Sequence, residues 1–130
     1  VRESRPLRLL LLSAFYPPYE IGGWEQLTRD LAEALARRGH TVQVLTSRYG
    51  LDRGAPAAPP AAEAVAVARL LTLEADQEHY RPLDFLLTWE ARLARNLAHT
   101  RRIVAAFQPE VVCVQGMWNL SPHIPALLER

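Results

Sequence analysis

The apolar pattern begins with an almost unbroken run of leucines. Residues 7–13 read Leu-Arg-Leu-Leu-Leu-Leu-Ser, without alternation, between Pro6 and the pair Pro17-Pro18. A run of that length with no polar face predicts a strand covered on both sides, as at the centre of a parallel sheet. A loop over residues 14–22 follows, and then the period changes. Leu27, Leu31, Ala34 and Leu35 stand at i, i+4, i+7 and i+8, so they share one side of a helix. Arg37 and Arg38 suit the negative end of its dipole, and Gly39 supplies a left-handed cap.

Residues 41–46, rich in Val and Thr, predict a second strand. Two strands joined by such a helix form a βαβ unit, for which a right-handed crossover is the rule. Glycines and prolines break up residues 47–62, which predicts a loop. Residues 64–71 read as a third strand. Pro82 then precedes the longest pattern, a helix over residues 83–108 with Leu86, Trp89, Leu93, Leu97, Thr100, Val104 and Phe107 along one stripe. Pro109 stops it. Residues 111–115 make a fourth strand, residues 116–121 a loop, and Pro122 can open a last helix. The order predicts an α/β fold: a Rossmann-like open parallel sheet with helices on both faces.

Composition narrows the picture by exclusion. A chain of 130 residues, 49% apolar and 22% charged, holds one domain with a real core. Its net charge of +1 gives no general pull toward nucleic acid. Every basic residue other than the four histidines is an arginine; without lysine a P-loop is impossible, and no G-x-G-x-x-G dinucleotide fingerprint occurs. The histidines, His40, His79, His99 and His123, fall in four separate segments without metal-ligand spacing, so no metal site is expected. Ser13, Ser47 and Ser121 have no nucleophile-elbow context. The single cysteine, Cys113, rules out an internal disulfide and reads as a buried, inert thiol. No apolar stretch approaches the ~20 residues of a membrane span, and the start lacks a signal-peptide core. A cytoplasmic location is expected.

Open parallel sheets bind ligands beyond the carboxyl ends of their strands, where strand order reverses. The loops after the first and fourth strands are the candidates. In the first, Gly22 and Gly23 stand at a helix start, where unpaired N–H groups and the dipole favour an anion such as phosphate. They could equally serve only to permit a tight turn. In the second, Trp118 can stack on an apolar ring face or pack beneath its loop, and Asn119 can bond hydroxyls. Arg48, just past the second strand, could reach an anionic ligand or simply be solvated. Glu25 suits capping the glycine loop. On the long helix, Arg92, Arg95, His99 and Arg102 lie roughly opposite the apolar stripe, a face that could touch anionic lipid or simply be solvated.

Phe15-Tyr16-Pro17-Pro18, then Gly22-Gly23-x-Glu25, then Leu31-Ala32-x-x-Leu35-x-x-x-Gly39-His40-x-Val42-x-Val44-x-Thr46 resembles the N-terminal domain of family 4 glycosyltransferases. Pro109-Glu110-Val111-Val112-x-Val114-x-Gly116 is similar to a later marker of that family. The resemblance implies a GT-B enzyme of two Rossmann-like domains facing a cleft. The first domain holds the acceptor (a glycan, lipid or small molecule) and the second holds a UDP- or GDP-sugar. It implies transfer with retention, without metal or other cofactor, with Gly22 and Gly23 against the donor phosphates. Trp24, where smaller residues are commoner, would shape the acceptor pocket with Trp118, Asn119 and Arg48. Cys113 and Gln115 stand where the family often has histidines.

On that reading residues 1–130 are one incomplete acceptor-side domain. The nucleotide-sugar domain is missing, and the chain alone is expected to be inactive. Two alternatives are a non-catalytic Rossmann-like module that binds a ligand or protein, and a sugar-nucleotide epimerase of the same architecture.

Overall fold

The computed structural model describes residues 5–19, 22–51, 65–75 and 80–129. Residues 52–62 of the expected second loop, and Ala64 at the expected start of the third strand, lie outside them. The elements run β1 (Arg8–Ser13), α1 (Gly23–Arg37), β2 (Thr41–Ser47), β3 (Ala66–Leu71), α2 (Pro82–Phe107), β4 (Val111–Gly116) and α3 (His123–Leu128). All strand pairs are parallel, in the order β3-β2-β1-β4. The fold is an α/β, Rossmann-like open sheet.

The leucine run occupies the centre of that sheet because it has no polar side to offer. Leu10 and Leu12 pack on one face with Leu45, Leu71 and Ile124, joined by Leu97, Val104 and Phe107 of α2. Leu9 and Leu11 pack on the other with Val42, Val44 and Ala32, joined by Leu35 of α1. Helices therefore cover both faces. Each fully buried leucine contributes about 2 kcal/mol.

The ends of the helices match their sequence signals. Gly39 follows α1 with φ of 90°, a left-handed position that glycine takes without steric cost. Gln108 closes α2 in the same region, at φ of 52°, its N–H donating to the Val104 carbonyl at 2.9 Å. Pro109 prevents continuation.

Three expectations about burial are corrected. α1 does not bury Leu27 and Leu31, which are 58% and 37% exposed; its buried residues are Glu25, Thr28 and Ala32. Small side chains on that line let the helix sit close to the sheet, and the leucines fall to its flank. On α2, Leu86 and Trp89 are exposed, although Thr100 is buried and Val104 and Phe107 join the core. The helix outruns the strands, so the early part of its stripe has no sheet beneath it. Cys113 is half-buried, because β4 has a neighbour only in β1 among the described strands.

Between β4, α2 and α3 runs a groove of about 600 Å³, lined by Val104, Val112, Val114, Pro125 and Leu128 among others. No helix among the described residues is long and apolar enough to cross a membrane.

Candidate functional site at the switch point

Strand order reverses at β1. The chain steps from β1 to β2 and β3 on one side, then returns through α2 to place β4 on the other. The two loops leaving β1 and β4 therefore lie side by side at the carboxyl end of the sheet. Ala14 N–H donates to the Gly116 carbonyl at 2.7 Å, extending the β1–β4 pairing into these loops. The indole Nε1 of Trp24, in the first turn of α1, donates to the Gln115 carbonyl at 2.6 Å. A Cβ on Gly116 would stand 3.6 Å from that indole, an ordinary contact distance.

The glycine pair can now be tested against the turn-only reading. Gly22 is the N-cap of α1, with φ of −153° and ψ of −166°, extended backbone open to any residue. Gly23 is the first helical residue. The only described glycines with positive φ are Gly39 and Gly50. Nor does crowding require the missing side chains. A Cβ on Gly22 would approach only the Glu25 carboxylate, at 3.8 Å, and one on Gly23 would meet nothing within 4 Å. Neither fold geometry nor packing explains the pair.

The polar environment of that helix start is divided. Gly22 N–H donates to Glu25 Oε2 at 2.9 Å, so one amide is already satisfied. Glu25 is buried, and its position in the first turn also suits the positive end of the dipole. Gly23 N–H has no acceptor inside the helix, as expected of a first-turn amide, and no partner among the described residues. Both glycines are exposed. What remains is the free Gly23 amide among the first-turn N–H groups, a dipole end and uncovered space.

The loop before the helix is held by a residue that the sequence did not flag. Arg69 of β3 donates to the carbonyls of Tyr16, at 3.0 Å, and Pro17, and its guanidinium lies over the rings of Tyr16 and Tyr19. Tyr19 N–H closes the turn onto the Tyr16 carbonyl. Gly50 backs this turn so closely that a Cβ there would fall 2.3 Å from the Tyr19 ring. An arginine inside an otherwise apolar strand was the available signal.

The β4–α3 loop presents Trp118, which is 67% exposed, its ring 6.3 Å from that of Phe15. Asn119 behaves differently from the expectation. Its Oδ1 accepts from Ala75 N–H at 2.9 Å and its Nδ2 donates to the Ala75 carbonyl at 2.6 Å. Both ends of the amide are occupied, so Asn119 ties its loop to the segment after β3. Asn96, 1% exposed, grips the same segment from α2 through Thr72, with bonds of 2.8 and 2.7 Å. Arg48 sits at the end of β2, exposed, its N–H on the Leu71 carbonyl.

The basic face of α2 is not a uniform row. Arg92 donates to the Leu73 carbonyl at 2.9 Å and pairs with Asp84 at 3.2 Å. Arg95 and Arg102 are exposed. Between them, burial of His99 depresses its pKa below 6.5, and Arg102, Arg95 and Arg48 depress it further. No three His, Cys, Asp or Glu side chains among the described residues gather as metal ligands would.

An open parallel sheet with two loops joined across its switch point is the arrangement at which α/β domains bind ligands. The chain belongs to the Glycosyl transferase 4-like domain family, whose pattern matches residues 22–130. The match begins at the glycine pair and leaves out β1. Comparison with curated proteins and with solved structures finds no match.

Proposed function

We propose that this glycosyltransferase-family module forms the acceptor side of a retaining, metal-independent transferase that moves a sugar from a UDP- or GDP-sugar. The single observation behind this is that Gly22 and Gly23 are glycines without an internal reason. Their backbone angles suit any residue, and a side chain on Gly23 would project into empty space. Absent side chains there leave room for something from outside. The free Gly23 amide and the positive end of α1 make a diphosphate the chemically fitting visitor.

In this reading the C1–O bond of the sugar to the diphosphate breaks as C1 bonds to an acceptor hydroxyl oxygen on the same face. The hydroxyl proton leaves on the departing diphosphate. Charge builds on the departing diphosphate, and a fixed amide and helix dipole stabilise it without reorganising. The acceptor lies against Trp118, whose exposed indole offers an apolar face to a sugar ring. Trp24 walls the space between donor and acceptor, and Arg48 borders it. Asn119 spends one bond at each end of its amide on Ala75 and so first of all ties the loop. The base of the nucleotide is held by a second domain, so residues 1–130 alone bind nucleotide weakly and do not turn over.

The test is Gly23→Val in the intact protein, assayed against a panel of UDP- and GDP-sugars. Because the added methyls point into open space, the melting temperature stays within a few degrees of wild type while turnover is abolished. Full activity in this variant overturns the glycine-loop reading. Failure of every nucleotide sugar to bind the wild-type protein overturns the transferase assignment.

A further inference from the structure

The loop leaving β1 leads into the glycine pair, and it is anchored from the side away from β4 as well as from β4 itself. At its near end, Ala14 N–H donates to the Gly116 carbonyl, and the Ala14 carbonyl accepts from the buried Ser47 hydroxyl at the end of β2. Further on, the Tyr16–Tyr19 turn closes through the Tyr19 N–H and the Tyr16 carbonyl at 3.2 Å. A side chain of β3, Arg69, ties that turn to the sheet.

An arginine is a costly occupant of that place. Its neighbours along β3, Val67, Ala68 and Leu70, pack against the two cores, and Arg69 stands in register with Thr46, which is fully buried. A part-buried guanidinium there costs free energy unless its donors and its flat faces are used. Both are. Nη1 donates to the Tyr16 carbonyl at 3.0 Å and Nη2 to the Pro17 carbonyl. The centre of the guanidinium lies 5.7 Å from the centroid of the Tyr16 ring and 5.2 Å from that of Tyr19. One planar fork taking two successive carbonyls, against two rings, is a grip that a lysine does not reproduce.

The grip fixes the main chain only five positions before Gly22. Two positions beyond Gly22, the indole of Trp24 is held by the Gln115 carbonyl of β4. The glycine pair is thus strung between an anchor on β3 and an anchor on β4, the two edges of the described sheet. We infer that Arg69 is a positioning residue for the anion site at the glycine pair. By fixing the Tyr16–Tyr19 turn it sets the direction from which the Gly23 amide meets a diphosphate, and it acts through the loop, not by contact with the ligand. The inference rests on the diphosphate reading of that site and deepens it.

The test compares Arg69→Lys, Arg69→Met and Gly23→Val in the intact protein, well below their melting temperatures. Inorganic pyrophosphate is titrated by calorimetry, and steady-state kinetics are run with UDP- and GDP-sugars. Both Arg69 variants are expected to weaken pyrophosphate binding about fivefold and to lower kcat about tenfold, since a displaced amide no longer meets its target. The KM for the acceptor stays within about twofold, because the acceptor does not lean on this loop. Wild-type affinity in Arg69→Lys beside a loss in Arg69→Met would assign the effect to charge alone and overturn the positioning role. Wild-type affinity and turnover in both, with only the melting temperature lowered and Gly23→Val inactive, would make Arg69 structural and leave the glycine-loop reading standing. A wild-type protein that binds no pyrophosphate overturns that reading and this inference together.

Discussion

Trp24 Nε1 and the Gln115 carbonyl oxygen, 91 positions apart in sequence, meet at 2.6 Å and join the head of α1 to the end of β4. The bond spans the switch point and fixes the spacing between the glycine pair and the loop that carries Trp118. Exposed on its other side, the indole contributes more to that spacing than to the core.

Replacing Trp24 with alanine should therefore separate stability from activity. The loss of one hydrogen bond on a residue 58% exposed costs about 1 kcal/mol. Loosened alignment of donor and acceptor should lower kcat/KM at least tenfold. Denaturant melts and steady-state kinetics on the intact protein give both numbers, and an unchanged kcat/KM would remove Trp24 from the site.

Gly39 and Gly50 share φ of 90° but not their surroundings. Alanine at Gly39 finds open space and carries only the left-handed penalty, about 1–2 kcal/mol. Alanine at Gly50 must also displace the Tyr19 ring, whose nearest atom would lie 2.3 Å away. Urea denaturation should rank Gly50→Ala well below Gly39→Ala; equal midpoints would mean that the Tyr16–Tyr19 turn moves without resistance.

Asn96→Ala leaves the Thr72 N–H and carbonyl without their partner beneath α2. With both groups part-buried, the cost should be about 2–3 kcal/mol. Amide hydrogen exchange at Thr72 offers a local check, since protection there should collapse before that of β1.

Acid pH should expose a tie at the bottom of the sheet. The Arg8 N–H bond, followed by the Arg5 guanidinium, holds the Glu110 carboxylate below its ordinary pKa of 4.5. A depressed acid stabilises the fold above the unfolded value and loses that contribution as pH falls through the folded one. The stability gap between wild type and Glu110→Gln should thus be constant near neutrality and close below about pH 4.5. His99 follows the same sign from a higher starting point. Its neutral form is favoured by burial, so Arg102→Gln should raise its pKa toward 6.5 in an NMR titration.

Much of the fold was legible because its punctuation is unambiguous. A leucine run with no polar side has only the middle of a sheet to occupy, and Gly39, Pro82 and Pro109 mark where helices stop and start. The phase of α1 was not legible. Apolar residues lie on two adjacent flanks of that helix, and close packing chose the line of Thr28 and Ala32 over the larger leucines. Where α2 outruns the sheet depends on strand lengths and on Asn96, not on its own periodicity. At the site, residue types pointed to both loops, and only the backbone angles show that the turn itself does not require the glycine pair. Asn119 looked like a ligand for hydroxyls because an amide pledged to a neighbouring backbone reads the same in sequence as a free one.

Two contacts from a single amide suspend the β4–α3 loop from the main chain of Ala75. Its anchorage thus relies on no side chain of the partner segment and on none of the indole beside it. Trp118 can be exchanged for another residue while the loop keeps its path. On the acceptor role proposed for Trp118, a lineage carrying this domain has a ready place to alter what it recognises, one codon at a time, with the scaffold left undisturbed.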